Sequence, residues 1–135
     1  MIRIDWDNKF EVGHERIDFE HRVFLNLIRT ISEEMETHGN RERILRLLAE
    51  LAKYAEFHFL SEENEMLRVG YPEYNEHHHE HERLLAKFTD MTAQFRYGTI
   101  PSDSIIEFIF SWFAIHTTQV DKRLGKYIQQ YEKPQ

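Results

Sequence analysis

YNEHHHEHERLLAKFTDMTAQF, residues 74–95, sets Tyr74, His77, His81, Leu84, Phe88, Met91 and Phe95 at steps of three and four. Such steps put side chains on one face of an α-helix, so the stretch predicts an amphipathic helix whose apolar stripe carries two histidines. His77 and His81 lie one turn apart on that stripe, whereas His78 and His79 are turned about 100° and 200° from His77. The run of four histidines in five positions is therefore two inward residues with two outward neighbours, not a tag-like surface run.

Three further segments show the same period. Ile17, His21, Phe24, Ile28, Ile31 and Met35 form the first; Ile44, Leu47, Leu48, Leu51, Ala55, His58 and Glu62 the second; Ile105, Ile109, Trp112, His116 and Val120 the last. Between them stand turn-like clusters: HGN at 38–40, GYP at 70–72 and YGTIPSDS at 97–104. Gly39 and Gly98 suit helix C-terminal caps, Pro72 a first helical turn, and Pro101 with Ser102 and Asp103 a helix start. Short connections make neighbouring helices antiparallel. The expected fold is all-α, an antiparallel up-down-up-down four-helix bundle. An N-terminal arm, residues 1–16, carries Trp6 and Phe10 ahead of a helical bundle over 17–131. KRLGKYIQQY, 122–131, extends the last helix or forms a short C-terminal one.

A chain of 135 residues fits one domain with a real core, here taken as 1–135. With 41% apolar and 30% charged residues it has the composition of a compact protein. The net charge of -7 and pI near 5.7 argue against a nucleic-acid surface or an anionic membrane as the main partner. The absence of cysteine excludes disulfides and thiolate metal sites. MIRIDWDNKF lacks the apolar core of a signal peptide. IIEFIFSWFAI, 105–115, is broken by Glu107 and Ser111 and falls short of the roughly 20 residues a membrane span needs. The expectation is a cytoplasmic protein with no membrane insertion.

The polar residues on the four stripes meet at one level. His21 lies 18 residues before Gly39 and His58 lies 19 after it; His81 lies 17 before Gly98 and His116 lies 18 after it. Around Gly70, Glu62 is eight residues before and His77 seven after. Antiparallel packing thus gathers five histidines and a glutamate at one end of the bundle, about 25 to 28 Å from the opposite turns. Asp121 is less obvious: five residues after His116, it is turned about 140° from it on a regular helix and reaches the cluster only through a local distortion or an inward swing. A lone histidine on an apolar stripe is usually a hydrogen-bonded core residue. Six converging polar groups left uncompensated would cost several kcal/mol, which metal coordination offsets.

Imidazole and carboxylate without thiolate suit iron, manganese or zinc, and seven side chains suit two bridged metals better than one catalytic zinc. Here the motifs carry a resemblance. DFEH at 18–21, HFLSEENEM at 58–66, YPEYNEHHHEH at 71–81 and WFAIHTTQVD at 112–121 are similar to the successive motifs of the hemerythrin family, specifically its bacterial members. The Trp6 arm and VGHERID at 12–18 resemble that family's entry segment. The resemblance implies a non-haem di-iron centre, two iron ions with an oxo or hydroxo bridge from solvent. It implies that His77, His81 and His116 bind one iron, that His21 and His58 bind the other, and that Glu62 and Asp121 bridge them. It further implies that dioxygen binds at the iron with two histidines, under an apolar pocket lined by Phe24, Met66, Trp112 and Phe113. These four residues also read as ordinary core packing. Phe113 stands where the family commonly has leucine, and Ile115 and Thr117 also depart from a frequent pattern.

The function implied is reversible dioxygen binding for carriage, storage or delivery, without enzymatic turnover. The alternatives are a stand-alone oxygen or redox sensor signalling to a separate partner, and a di-iron redox enzyme acting on peroxide or nitric oxide. No further histidine or carboxylate is recognisably placed as a general acid or base. His14, His38, His78 and His79 are expected to face solvent.

Overall fold

The computed structural model describes residues 3–133; the two residues at each end of the expected 1–135 domain lie outside them. Four long helices follow one another: α1 (Glu15–Thr37), α2 (Arg41–Val69), α3 (Tyr74–Arg96) and α4 (Ser102–Ile115). A π-helical segment, His116–Asp121, then joins α4 to α5 (Lys122–Glu132). Helix α1 packs on α2, α2 on α3, α3 on α4 and α4 on α1, which closes the up-down-up-down bundle. No strand occurs among the described residues. Helix α1 begins two residues inside the expected arm, because the His14 Nδ1 accepts the Ile17 N–H at 3.1 Å and caps the first turn. Asn40 does the same for α2, accepting the Arg43 N–H at 2.9 Å. At the end of α2, Gly70 takes a left-handed φ of 62°, and the Tyr71 N–H turns back to the Met66 carbonyl at 2.9 Å.

The interior is layered along the bundle. A large apolar cluster, with Phe24, Ile28, Leu51, Leu84, Phe88, Ile105 and Phe113 in it, fills most of the length. A smaller one of Val12, Ile17, Met66, Val69, Tyr71, Leu124 and Ile128 closes the other end. On every helix stripe the histidines and acids stand between the two: His21 between Ile17 and Phe24, Glu62 between Ala55 and Met66, Asp121 between Phe113 and Leu124.

The arm seals this layer from the side. It buries Ile4, Phe10 and Val12, turns through a short 3-10 helix at Asn8–Phe10, and sets the Phe10 ring edge-on to Phe113 at 5.2 Å. Arg29 Nε donates to the Ile4 carbonyl at 2.7 Å, and the Val12 N–H to Asp18 Oδ1 at 2.8 Å. Close approach to α5 requires Gly125, where a Cβ would collide with the Val12 carbonyl oxygen.

Candidate metal centre

His21 on α1, His58 and Glu62 on α2, His77 and His81 on α3, and His116 and Asp121 at the two ends of the π-helical segment all converge, and every one is buried. Their ligand atoms form two sets that share both carboxylates: Glu62, His77, His81, His116 and Asp121 in one, His21, His58, Glu62 and Asp121 in the other, each within 4.8 Å. Glu62 Oε1 lies 2.8 Å from His77 Nε2 and 3.3 Å from His81 Nε2, while Oε2 lies 3.3 Å from His58 Nε2 and 3.6 Å from His21 Nε2. Asp121 divides the same way: Oδ1 is 2.9 Å from His77 Nε2 and 3.0 Å from His116 Nε2, and Oδ2 is 3.1 Å from His21 Nε2.

The π-helical segment explains how Asp121 arrives. Its hydrogen bonds run from residue i to i+5, as the Lys122 N–H to the Thr117 carbonyl shows. The wider turn brings residues five apart onto one face, so His116 and Asp121 overlie each other where an α-helix would have turned them apart. Of the two routes the sequence leaves open, a local distortion or an inward swing, the chain takes the distortion.

The donor set fits metal cations. Both oxygens of Glu62, Asp121 Oδ1, His81 Nε2 and both ring nitrogens of His21 are buried without a hydrogen-bond partner in the protein. His77 and His116 point their Nε2 atoms at each other across 3.1 Å. Buried acceptors rarely stay unpaired in native proteins, and lone pairs aimed at a common point are what a bound cation satisfies.

Outside this shell stand three carboxylates that the sequence reading missed. Glu20 Oε1 lies 2.7 Å from His58 Nδ1, Glu63 Oε2 2.8 Å from His81 Nδ1, and Glu80 Oε2 2.9 Å from His116 Nδ1. Each accepts the outer N–H of its imidazole and so leaves the Nε2 lone pair facing inward. Each adjoins an inward residue in sequence, Glu20 before His21, Glu63 after Glu62 and Glu80 before His81, but serves a histidine on another helix. That adjacency is the one signal that could have found them.

Two of the four outward histidines are not simply solvent-facing. His14 caps α1 through Nδ1 and holds Glu65 Oε1 at 2.8 Å through Nε2, which leaves its side chain largely buried between α1 and α2. His78 is half-buried because Glu63, already bound to His81, also takes its Nδ1 at 2.8 Å. His38 and His79 are exposed as expected.

Without metal the cluster is held by its own charges. Burial opposes protonation of His21, but Asp121 and Glu62 outweigh it and raise the imidazole to about 9. The same balance raises His77 to about 10, and with Asp121 and Glu80 as partners His116 reaches about 9. Burial and the neighbouring Glu62 work against ionisation of Asp121, yet His116 and His21 hold it below the ordinary carboxylate range. Glu62 is likewise kept well below that range, against burial, by four histidines.

The four apolar residues named for a ligand pocket divide. Phe24 and Phe113 stack at 5.5 Å and cover the two-histidine set, with Phe113 edge-on to His21 at 5.7 Å and Phe24 6.5 Å from His58. Trp112 lies on the three-histidine side, stacked on His116 at 4.2 Å. Met66 belongs to the smaller apolar cluster, on the opposite side of the polar layer from Phe24.

A family model for the hemerythrin HHE cation binding domain matches residues 12–128. A bacteriohemerythrin of Methylococcus capsulatus is 30% identical over 109 residues, 80% of this chain and 82% of that one. A bacteriohemerythrin of Clostridium acetobutylicum is 27% identical across 87% of this chain and 95% of its own. A myohemerythrin of Riftia pachyptila is 27% identical across 86% of each chain. A crystal structure of wild-type hemerythrin superposes with a TM-score of 0.84 at 28% identity, covering 92% of this chain and 96% of that one.

Proposed function

Because the chain belongs to the hemerythrin family, whose members bind dioxygen at a di-iron centre and are not enzymes, we propose that it binds dioxygen reversibly for carriage, storage or delivery, with a 3:2 division of histidines between two irons. His77, His81 and His116 hold one iron, His21 and His58 the other, and Glu62 and Asp121 reach both. One observation carries this assignment: each of the two buried carboxylates turns one oxygen to each histidine set. The iron pair, when bound, supplies the electrons that dioxygen binding draws on.

The protein's own contribution is asymmetry and dryness. The set with two histidines has one protein donor fewer, and Phe24 and Phe113 cover that side. Dioxygen therefore meets an apolar ceiling there, and water, which would promote oxidation of the iron, is excluded. Phe10 backs Phe113 from the arm, and Met66 closes the layer from the other end. Five neutral imidazoles against two carboxylates give a donor set that favours the ferrous state.

We take 1–135 as one domain, with the 1–16 arm serving the 17–131 bundle, and dioxygen as the partner; the net charge of -7 argues against nucleic acid. No described helix is long and apolar enough to cross a membrane; a cytoplasmic location is part of the proposal. Anomalous diffraction at the iron edge from crystals grown with ferrous iron tests the assignment. Two peaks are expected, one among His77, His81 and His116 and one beside His21 and His58. A single peak, or iron bound only at the surface, would refute it.

A further inference from the structure

We propose that Glu80 is the positioning residue for His116, selecting which edge of that ring faces the metal layer. The inference rests on the ligand assignment above. His116 stands at the junction of α4 and the π-helical segment, where the backbone changes its turn. Two contacts hold its ring from outside the metal layer. Trp112 stacks on one face, 4.2 Å between centroids and 14° between planes, which sets the plane of the imidazole. Stacking alone does not choose between the two orientations related by a half-turn about χ2, because that torsion is broad and roughly two-fold for histidine. Glu80 Oε2, 2.9 Å from Nδ1, makes the choice: it accepts the Nδ1–H and leaves Nε2 directed at Asp121 Oδ1 and at the His77 ring. Flipped, the ring would turn carbon atoms toward the layer and bury an unpaired nitrogen.

Glu80 differs from the other two outer carboxylates. The side chains of Glu20 and Glu63 are 6% and 11% exposed, and each has a second partner, Ser61 and Arg16 for Glu20 and His78 for Glu63. Glu80 is 37% exposed, and among the described residues its one side-chain hydrogen bond is to His116. Its other side faces a surface groove between α3 and α4 lined by Arg83, Lys87, Phe108 and Trp112. Of the three, Glu80 can therefore be altered without leaving a hole or unpairing any group but His116 Nδ1, so its substitution reports on His116.

The test compares Glu80→Leu, Glu80→Gln and the neighbouring Glu82→Gln in the full chain, loaded anaerobically with ferrous iron and titrated with a chelator. Glu80→Leu is expected to weaken iron retention by about 10- to 100-fold, the range for removing such an outer partner. Glu80→Gln, which keeps an amide oxygen for the Nδ1–H, recovers part of the loss, and Glu82→Gln retains iron as the parent does. In proton NMR of the loaded protein, the shifted Nδ1–H resonance of His116 should exchange with solvent faster in Glu80→Leu and not in Glu82→Gln. Glu80→Leu matching Glu82→Gln in both measurements, while His116→Ala abolishes loading of one iron, would overturn the proposal and leave the ligand assignment intact. Full loading of His116→Ala would overturn both.

Discussion

Iron loading should be a proton-releasing reaction with a steep pH dependence. Without metal, His21 and His116 have pKa values raised to about 9 and His77 to about 10, so at pH 7 all three carry protons that coordination must displace. Each pKa unit corresponds to about 1.4 kcal/mol, so displacing these protons at pH 7 costs on the order of 3 to 4 kcal/mol per histidine. That cost falls by one decade of affinity per proton per pH unit until the folded values are reached. Apparent ferrous affinity should therefore rise between pH 6.5 and 8.5 by about one decade per unit at the site of His21 and His58 and about two at the site of His77, His81 and His116. The metal-free protein should respond in the opposite sense. Raised imidazole pKa values contribute stability fully present below about 6.5, the unfolded value, and lost as pH rises through 9 to 10. Anaerobic calorimetry in two buffers of different ionisation enthalpy counts the protons released, and chelator competition across pH gives the slope. A slope below one decade per unit, or equal heats in the two buffers, would show that the three histidines are already neutral and would refute this reasoning.

Other consequences follow from single contacts. His77→Ala should reduce iron loading, since its Nε2 faces both shared carboxylates, whereas His78→Ala should leave two irons bound with a loss of no more than a few-fold through its shared acceptor Glu63; atomic absorption on the desalted proteins separates them. Gly125→Ala places a methyl group against the Val12 carbonyl and should lower stability by about 1 to 3 kcal/mol, read as a reduced urea midpoint. Phe24→Ala empties a fully buried position beside His58 and should cost about 3 to 5 kcal/mol while speeding spontaneous oxidation of the loaded protein, followed optically in air. An unchanged oxidation rate in a folded Phe24→Ala protein would remove Phe24 from the oxygen side.

The helices, their antiparallel order and the level at which five histidines meet were legible because each rests on a local rule: a period, a cap, and the distance from a turn. His77 and His81 separated from His78 and His79 by phase alone. Asp121 is not legible in this way, because an α-helical period through 116–121 turns it away from His116 and the chain there is π-helical. Glu20, Glu63 and Glu80 escaped for a related reason. Their positions point away from the stripe of their own helix, and their partners are supplied by neighbouring helices whose rotation no one-dimensional pattern records. His14 reads from sequence as solvent-facing, as polar residues usually are, but it caps α1 and partners Glu65, which draws it inward. Trp112 stacks on His116 and Met66 lies in the smaller apolar cluster; which side of the polar layer each occupies depends on packing that sequence does not carry.

Reversible oxygen binding is tested most directly by reconstituting the protein with ferrous iron in the absence of air, counting irons per chain, and recording its optical spectrum as oxygen is added and then removed. The account predicts two irons per chain and a visible charge-transfer band that rises with oxygen and vanishes when it is withdrawn, over repeated cycles. Two irons that pass at once to a stable oxidised spectrum, with no band that reverses, would contradict it.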